Sequence, residues 1–595
     1  MIDRTTKLRW RRRVRRSKQH VEEFGTQAEE GLERHFFRRL SRLTRVRRFV
    51  AAWVILFLFI IGGVLYQARS LGKYYLESTP ISGGIYTEGI LGSFTNANPL
   101  YAASSLDNSV ATLIFNGLFK FDQKNQLVGE LAQSWSVDER GTTYTVRLKP
   151  NLKWQDGVAL TSADVVYTYQ TIQNADAKSP LASSWQGVKV SAPDAATVVF
   201  VLPNILNTFP YSMVNGIVPK HKLAAYPASQ LRSIAFNTTQ PVGSGPFKLS
   251  AVEVLGNDVE KREQRLALVP NTLYQGGSPK IDRFIIRSFS DEKQLAKALD
   301  KGELSAAAGL SSMTEDLSQD RAVTDYNIPL TSEVMVFLKT SNPILSNQKV
   351  RQGLAYATDT GKILANLGRP VLPARSPLLP DQLGYDKTLL QNTNNIQQAN
   401  KLFDEAGWVM GPKGVRVDKA NQPLAFNLVT QSNAVYEYVS QAIKQQWRQV
   451  GVDIAISLQK DDDLQTTLAF HNYDALLYGI ALGPDPDVFA YWHSSQADIR
   501  AANRLNFSEY KSTVADKALE GGRTRSDPTI RAIKYRPFLE AWRADVPAIA
   551  LYQPRYLYAV RGKLVGFSPS ALNNASDRYS NVQNWYVREA LRPKN

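Results

Sequence analysis

Residues 143–166 read TYTVRLKPNLKWQDGVALTSADVV, and the spacing of their apolar residues changes within that stretch. Tyr144, Val146 and Leu148 alternate with polar residues, the period of a strand with one buried face. After Trp154 comes the turn dipeptide Asp156-Gly157. Thr161 then stands three residues before Asp164, so its hydroxyl can cap a helix while the Asp164 carboxylate reaches back to the cap amide. Val165, Val166, Tyr169 and Ile172 would line the buried face of that helix. Pro193-Asp194 turns the chain into a second strand at 197–202. Strand, helix and strand in close succession place the chain in the α/β class.

The same alternation recurs further on. Val350, Leu354 and Ala357 mark one face of a helix near 347–364. Ala399, Leu402, Phe403 and Ala406 mark another, closed by Gly407, a residue suited to the left-handed position after a helix. Ile443, Trp447 and Val450 mark a third, closed by Gly451, after which Val452, Ile454 and Ile456 alternate as a strand. A length of 595 residues requires more than one hydrophobic core. No fixed-period repeat interrupts the pattern.

The net charge of +17 is unevenly spread. Residues 1–48 carry 16 Lys and Arg against 6 Asp and Glu, a net of +10, and the other 547 residues carry only +7. Residues 49–68, FVAAWVILFLFIIGGVLYQA, contain no charge and are bracketed by Arg48 and Arg69. Twenty such residues at about 1.5 Å each span a hydrocarbon layer of about 30 Å. The leader is too long for a signal-peptide n-region and Gln67-Ala68-Arg69 is a poor cleavage site, which favours an uncleaved anchor. The excess of basic residues on its N-terminal side orients the tail to the cytoplasm and the rest outward. Leu40, Leu43, Val46 and Phe49 recur among arginines as in a basic amphipathic helix on anionic lipid. The tail has no aromatic platform or base-reading motif, so nucleic acid is not an expected partner.

Reactive chemistry is hard to assemble from the remainder. With no Cys, thiol catalysis, zinc-thiolate sites and lipid-modified cysteine are excluded. His221, His471 and His493, the histidines outside the tail, lack metal-ligand spacing, and no GxSxG, Walker or Rossmann fingerprint is present. Gly243-Ser244-Gly245-Pro246 reads as a tight turn entering a strand at Phe247. Asp461-Asp462-Asp463 reads as a solvated turn, because adjacent carboxylates lack the alternation of a calcium loop. No catalytic residue, metal site or cofactor is expected. Residues 478–487 form a turn-rich stretch followed by Phe489, Tyr491 and Trp492, aromatics that fit the wall of a cleft as well as a core.

Several segments taken in order carry a family resemblance. They are Leu131-Ala132-Gln133-Ser134-Trp135, residues 144–148, Lys153-Trp154-Gln155-Asp156-Gly157, Ser162-Ala163-Asp164-Val165, residues 241–247, residues 350–359, Asp404-Glu405-Ala406-Gly407-Trp408, Tyr473-Asp474-Ala475 and Asp485-Pro486-Asp487, then Asn506, Tyr510 and Asp516. From about 84 to 560 the chain resembles the extracytoplasmic solute-binding proteins of peptide and nickel ABC importers (family 5, the oligopeptide and dipeptide type). The resemblance implies a three-lobed, bilobal fold with mixed sheets, periplasmic-binding-protein-like (type II, cluster C), preceded here by one transmembrane helix. Its parts would be a basic cytoplasmic tail (1–48), the anchor (49–68), a discontinuous lobe I (79–117, 241–329 and 559–595), an inserted lobe II (118–240) and an opposing lobe III (330–558). It further implies a receptor at the cell membrane that closes by hinge motion on a peptide or other small solute, passes it to ABC permease subunits, and is not an enzyme. Trp154, Asp156, Gly157 and Asp164 would be an architectural signature. Candidate ligand contacts are Thr95, Asn96 and Asn98 in the first loop, Gly479, Leu482, Asp485, Asp487, Tyr491 and Trp492 in the third lobe, and Asn506. The resemblance departs at one point: where peptide-binding members place an Asp for the α-amino group, this chain has Leu482, leaving Asp485 or Asp487 as substitutes. The other reading of a tethered cleft is a sensor or adhesion module uncoupled from transport.

Overall fold

A computed structural model describes residues 47–593 except 257–262 and 502–503. The basic tail 1–46, with most of its amphipathic pattern, lies outside the described residues. The chain divides into two compact units, Met1–Thr79 with Glu589–Asn595, and Pro80–Arg588. In the first, one helix runs from Arg47 to Tyr75, overrunning the apolar stretch at both ends. Its Phe49–Gln67 segment has a mean hydropathy of 2.6 and none of it is buried, so it is long and apolar enough to cross a membrane. A short ribbon follows, in which Leu76–Ile81 pairs with Arg588–Pro593. There Ser78 Oγ donates to Glu589 at 2.7 Å.

The second unit is organised by a 12-stranded mixed sheet. In chain order its strands are β1 (Ile85–Leu91), β2 (Phe247–Leu255), β3 (Glu263–Pro270), β4 (Arg283–Phe289), β5 (Ala306–Leu310), β6 (Val323–Pro329), β7 (Ser332–Leu338), β8 (Val371–Pro373), β9 (Ala425–Gln431), β10 (Asp453–Gln459), β11 (Ala475–Ala481) and β12 (Ala548–Arg561). Their order across the sheet is β10-β9-β11-β7-β12-β5-β1-β4-β3-β2, with β6 and β8 also paired to β12. The 14-residue β12 is common to both ends of this sheet. Its first residues pair with β7, from Phe337 opposite Ala548 to Val334 opposite Tyr552. Its later residues pair with β6, from Pro329 opposite Arg555 to Val323 opposite Arg561, and with β5. Pro554, which cannot donate to a ladder, stands at the change of partner, and its carbonyl accepts from Leu330 N–H at 3.0 Å.

The hydrophobic cores divide at the same place. One large cluster joins Tyr86, Leu113, Trp154, Phe284, Tyr558 and Trp585, and a satellite gathers around Leu295 and Leu299; neither includes a residue between 331 and 555. Two others lie on opposite faces of β7, whose period of two sends Val334, Val336 and Leu338 to one side and Met335 and Phe337 to the other. Both of its faces are covered, which accounts for the unbroken apolar run Val334–Leu338.

The stretch 143–166 folds as its pattern predicts. Thr143–Leu148 is a central strand of a four-stranded antiparallel sheet completed by Ala132–Val137, Thr197–Val201 and Lys189–Asp194. The helix Ser162–Gln173 opens with the Thr161/Asp164 capping box. Trp154 is fully buried, and Gly157 takes φ +86°, the left-handed region that the turn requires. Asp156 accepts from His221 Nε2 at 2.8 Å and faces Lys222 Nζ at 3.1 Å. Asp164 bonds both the Thr161 amide and the Lys220 amide at 2.9 Å. Gln155 stitches this turn to the next, its amide group donating to Phe247 O at 2.7 Å and accepting from Gly243 N–H at 3.2 Å. Phe247 starts β2, as read from the sequence.

Two local readings differ. The helix expected over 347–364 is two helices, Gln348–Ala357 and Thr360–Ala365, because Asp359 caps a new start by accepting from Lys362 N–H. Asp461, Asp462 and Asp463 form no turn but the first turn of the helix Asp461–Phe470, where carboxylates complement the positive end of the helix dipole.

A buried ion pair ties the separate segments of the first core together. Arg578 and Glu88 are both fully buried and meet at 2.6 Å and 3.0 Å. Tyr558 and Tyr579 hydroxyls donate to the same carboxylate at 2.8 Å, and Ser109 Oγ accepts from Arg578 at 3.1 Å. Removing one partner strands a buried charge, at a cost of about 3–5 kcal/mol. Arg578→Met is therefore expected to lower the urea midpoint sharply, and adding Glu88→Gln should recover part of the loss. Equal stability of Arg578→Met and the parent chain would contradict this.

Candidate functional site

Where β12 changes partners, a cavity of about 640 Å³ opens between the two sets of cores. On one side are Ile90 and Ser105, with Glu292 and Gly309; on the other are Arg369, Gln431 and Tyr436; Val334, Tyr552, Arg555 and Tyr556 form its base. The sequence explains how this base is built. In the strand Ala-Ile-Ala-Leu-Tyr-Gln-Pro-Arg-Tyr-Leu-Tyr-Ala-Val-Arg, the Pro554-Arg555 pair interrupts the apolar alternation at the switch and leaves a charged side chain there. Gly479 approaches one of these side chains closely: a Cβ at that position would come within 2.8 Å of the Tyr436 hydroxyl.

None of the ten candidate contacts lines this cavity. In the first loop, Asp107 accepts from the Thr95 amide at 2.8 Å, its hydroxyl at 2.7 Å and the Asn96 amide at 3.0 Å. The fully buried Asn98 donates to Asn237 and accepts from Leu100 N–H, both at 3.0 Å. In the 479–487 stretch Leu482 is buried, its amide bonded to Thr331 O at 2.9 Å. Asp485 is held by both terminal nitrogens of Arg531, at 2.6 Å and 2.9 Å. Asp487 accepts from Arg523 at 3.1 Å, and the Arg523 guanidinium lies 4.0 Å over the Phe489 ring. Both carboxylates thus already carry a guanidinium partner. Tyr491 donates to Ala481 O at 2.7 Å, and burial pushes its phenol up to about 12. Trp492 is fully buried, stacked on Phe337 and edge-on to Trp542. Asn506 is fully buried and spends its amide on His493 O, Tyr510 O and Tyr510 N–H.

Away from β12, residues that follow the four-stranded sheet also reach the region of the second set of cores. Asn207 donates through its amide and side chain to Arg523 O, both at 3.4 Å, and Thr208 Oγ1 to Asp487 at 3.4 Å. Arg369, Arg555, Tyr436 and Tyr552 were not picked out from the sequence. The signal that marks the first two is an arginine beside a proline at a strand break, Arg369-Pro370 and Pro554-Arg555.

Comparison with known proteins agrees with this architecture. Residues 126–500 match the model of the bacterial extracellular solute-binding proteins, family 5 Middle. The chain is 26% identical over 535 residues to the oligopeptide-binding protein AppA of Bacillus subtilis, covering 87% of this chain and 93% of that one. It is 23% identical over 501 residues to the probable D,D-dipeptide-binding periplasmic protein DdpA of Escherichia coli, covering 80% and 90%. Among solved structures, Bacillus subtilis AppA in complex with a nonapeptide superposes with a TM-score of 0.69 at 24% identity, covering 86% of this chain and all of that one. NikZ of Campylobacter jejuni in complex with Ni(L-His) gives 0.69 at 23% identity, covering 84% and 99%.

Near the same switch, Glu333 on β7 is fully buried and neither of its carboxylate oxygens has a hydrogen-bond partner among the described residues. Burial pushes its carboxyl well above the usual range. The folded chain then keeps a proton that the unfolded chain releases near pH 4.3, so this contribution to stability is full below that pH and is lost as pH rises toward the folded value. Glu333→Gln is expected to raise the melting temperature relative to the parent, with a larger gain at pH 8 than at pH 5. A gain that does not change with pH would contradict the assignment.

Proposed function

The chain belongs to family 5 of the bacterial extracellular solute-binding proteins, and on that premise we propose that it is a membrane-anchored receptor whose two jaws close on a peptide and deliver it to an ABC importer. One jaw is lobe I (79–117, 241–329 and 559–595) carrying the inserted lobe II (118–240), and the other is lobe III (330–558), with the last boundary moved back to about 556 because Tyr556, Leu557 and Tyr558 pack in the cores of lobe I. The observation that carries this reading is β12, shared by both jaws, with a cavity beside the point where its partners change. Rotation about 329–332 and 552–555 alters few packed contacts, because the cores on either side are separate. A ligand that touches both sides of the cavity binds the closed state better than the open one, and only that difference shifts the population. The peptide assignment draws on relatives that are named as peptide-binding.

The helix Arg47–Tyr75 supplies the anchor, and the basic tail sets its orientation and lies against anionic lipid. A tether of this kind keeps the receptor beside its permease and raises the effective concentration of their encounter.

Isothermal titration of the detergent-solubilised full chain with pooled short peptides is expected to give saturable heat. Bound ligand at about 100 times its Kd should add roughly 2.7 kcal/mol of stability, read as a higher melting temperature. Flat traces with peptides, alongside saturation by a sugar or metal-chelate pool, would replace the peptide with another solute. Flat traces with every pool would overturn the receptor reading.

A further inference from the structure

The two sets of cores also meet away from β12, where Asn207 and Thr208 bond to Arg523 and Asp487. On the first side, Phe209 is buried against Tyr144, Trp185 and Phe200 in the largest core. Tyr211 stacks on Phe121 with ring centres 6.0 Å apart. On the second side, Val488, Leu519 and Tyr535 are buried in a different core, and Asp485 and Asp487 hold Arg531 and Arg523. Asn207 and Thr208 are thus fixed to one packed body and bond to another.

Each of the two gives up a local use of its polar groups, or meets a need of the other body. Thr208 is the N-cap of the short helix Phe209–Val214, where a hydroxyl ordinarily accepts from an amide of its own helix. It makes no such bond, and Thr208 Oγ1 donates across to Asp487 instead. Arg523 is the last residue of the helix Thr513–Arg523, and the closing carbonyls of a helix have no partner within it. Gly522 O is served from its own side by Arg531 Nε at 3.0 Å, whereas Arg523 O accepts from the Asn207 amide and carboxamide. The bond lengths fall into two groups. Those that cross between the bodies are all 3.4 Å, longer than the usual range of about 2.7–3.2 Å. Those within each body are ordinary: Phe209 N–H to Leu206 O and Tyr211 N–H to Thr208 O at 3.0 Å, and Arg523 to Asp487 at 3.1 Å. Arg523 Nε is also buried without an acceptor, so the contact has a donor still to use. The Tyr211 phenol, raised chiefly by burial, is raised further by Asp485 and lowered by Arg531, so that ion pair acts across the same boundary.

We propose that Asn207 and Thr208 are a latch that tightens on Arg523 O and Asp487 as the jaws close, and that stands loosely engaged in the state described. The proposal rests on the two-jaw receptor reading and adds a closing contact in which the solute takes no part. None of these four residues lines the cavity at β12. Because the latch favours the closed arrangement alone, it sets the closed fraction before ligand arrives. Apparent affinity scales with that fraction, so weakening the latch weakens binding without removing any contact to the solute.

The test uses two variants of the full chain in detergent. Thr208→Asp sets a second carboxylate against Asp487 while keeping a favoured N-cap residue, so the short helix is retained. Asn207→Ala combined with Thr208→Val removes the side-chain bonds and adds no charge. Titrated with the pooled short peptides, both are expected to bind about tenfold more weakly than the parent, with ligand-free melting temperatures close to the parent's. A second readout needs no ligand: hydrogen exchange at the Asn207 amide is expected to be slowed in the parent and released in Thr208→Asp. Parent-like affinity in both variants would overturn the latch and leave the receptor reading standing. Weaker binding matched by a fall in ligand-free melting temperature would make the two residues merely structural, and would overturn it too. If no pool binds the parent, the receptor reading falls and exchange decides alone. An Asn207 amide released by Thr208→Asp would then support the contact, and equal exchange in both chains would overturn it.

Discussion

One strand cannot belong to two rigid bodies without making their boundary a place where the chain bends, and β12 is such a strand. Within 14 residues it exchanges the neighbour β7 for β5 and β6. The chain crosses between the two sets of cores at this strand and at the short connection between β6 and β7. Everything else in the second unit follows from this constraint. Apolar side chains have to be sorted into cores on either side, and the seam has to be finished with polar or open surface. Pro554 fits the seam because a ladder hydrogen bond is not required of it there, and Arg555 fits because its charged end faces the cavity.

The largest core draws on segments as far apart in sequence as Tyr86 and Trp585, and holding them together is a second problem. The Glu88–Arg578 pair addresses it by joining β1, β12 and the residues that follow β12 in one hydrogen-bonded cluster with Tyr558, Tyr579 and Ser109. Such a pair is weak evidence for added stability, since desolvating both charges is expensive. What it supplies is geometric: an acceptor in β1 with several donors aimed at it from remote parts of the chain.

Much of this fold was legible in the sequence because it is written in local periods. The alternation in 143–148, the Thr161/Asp164 capping box and the glycines at 407 and 451 each act over a few residues, and each appears in the structure as read. The break at Asp359 and the helical start at Asp461 were missed because a side chain competing for a backbone amide leaves only a faint trace in an apolar pattern. The candidate site was less legible. Motif order drew attention to 479–487, and there the structure finds Asp485 and Asp487 already paired with Arg531 and Arg523. Among the described residues that line the cavity, the charges without a hydrogen-bond or ion-pair partner are Arg369 and Arg555, far apart in sequence and brought together by the pairing of β8 with β12. Long-range register is what no local period encodes.

Closure of the two jaws on ligand is the claim on which the others depend. The chain contains no cysteine, so two introduced cysteines, Ser229→Cys and Lys517→Cys, one on each proposed jaw, can carry spin labels at those sites alone. Pulsed dipolar measurement of their separation in the full chain, with and without saturating ligand, tests closure directly. The account predicts that ligand shifts the distance distribution toward a single, shorter population. A distribution that is the same with and without bound ligand would contradict it.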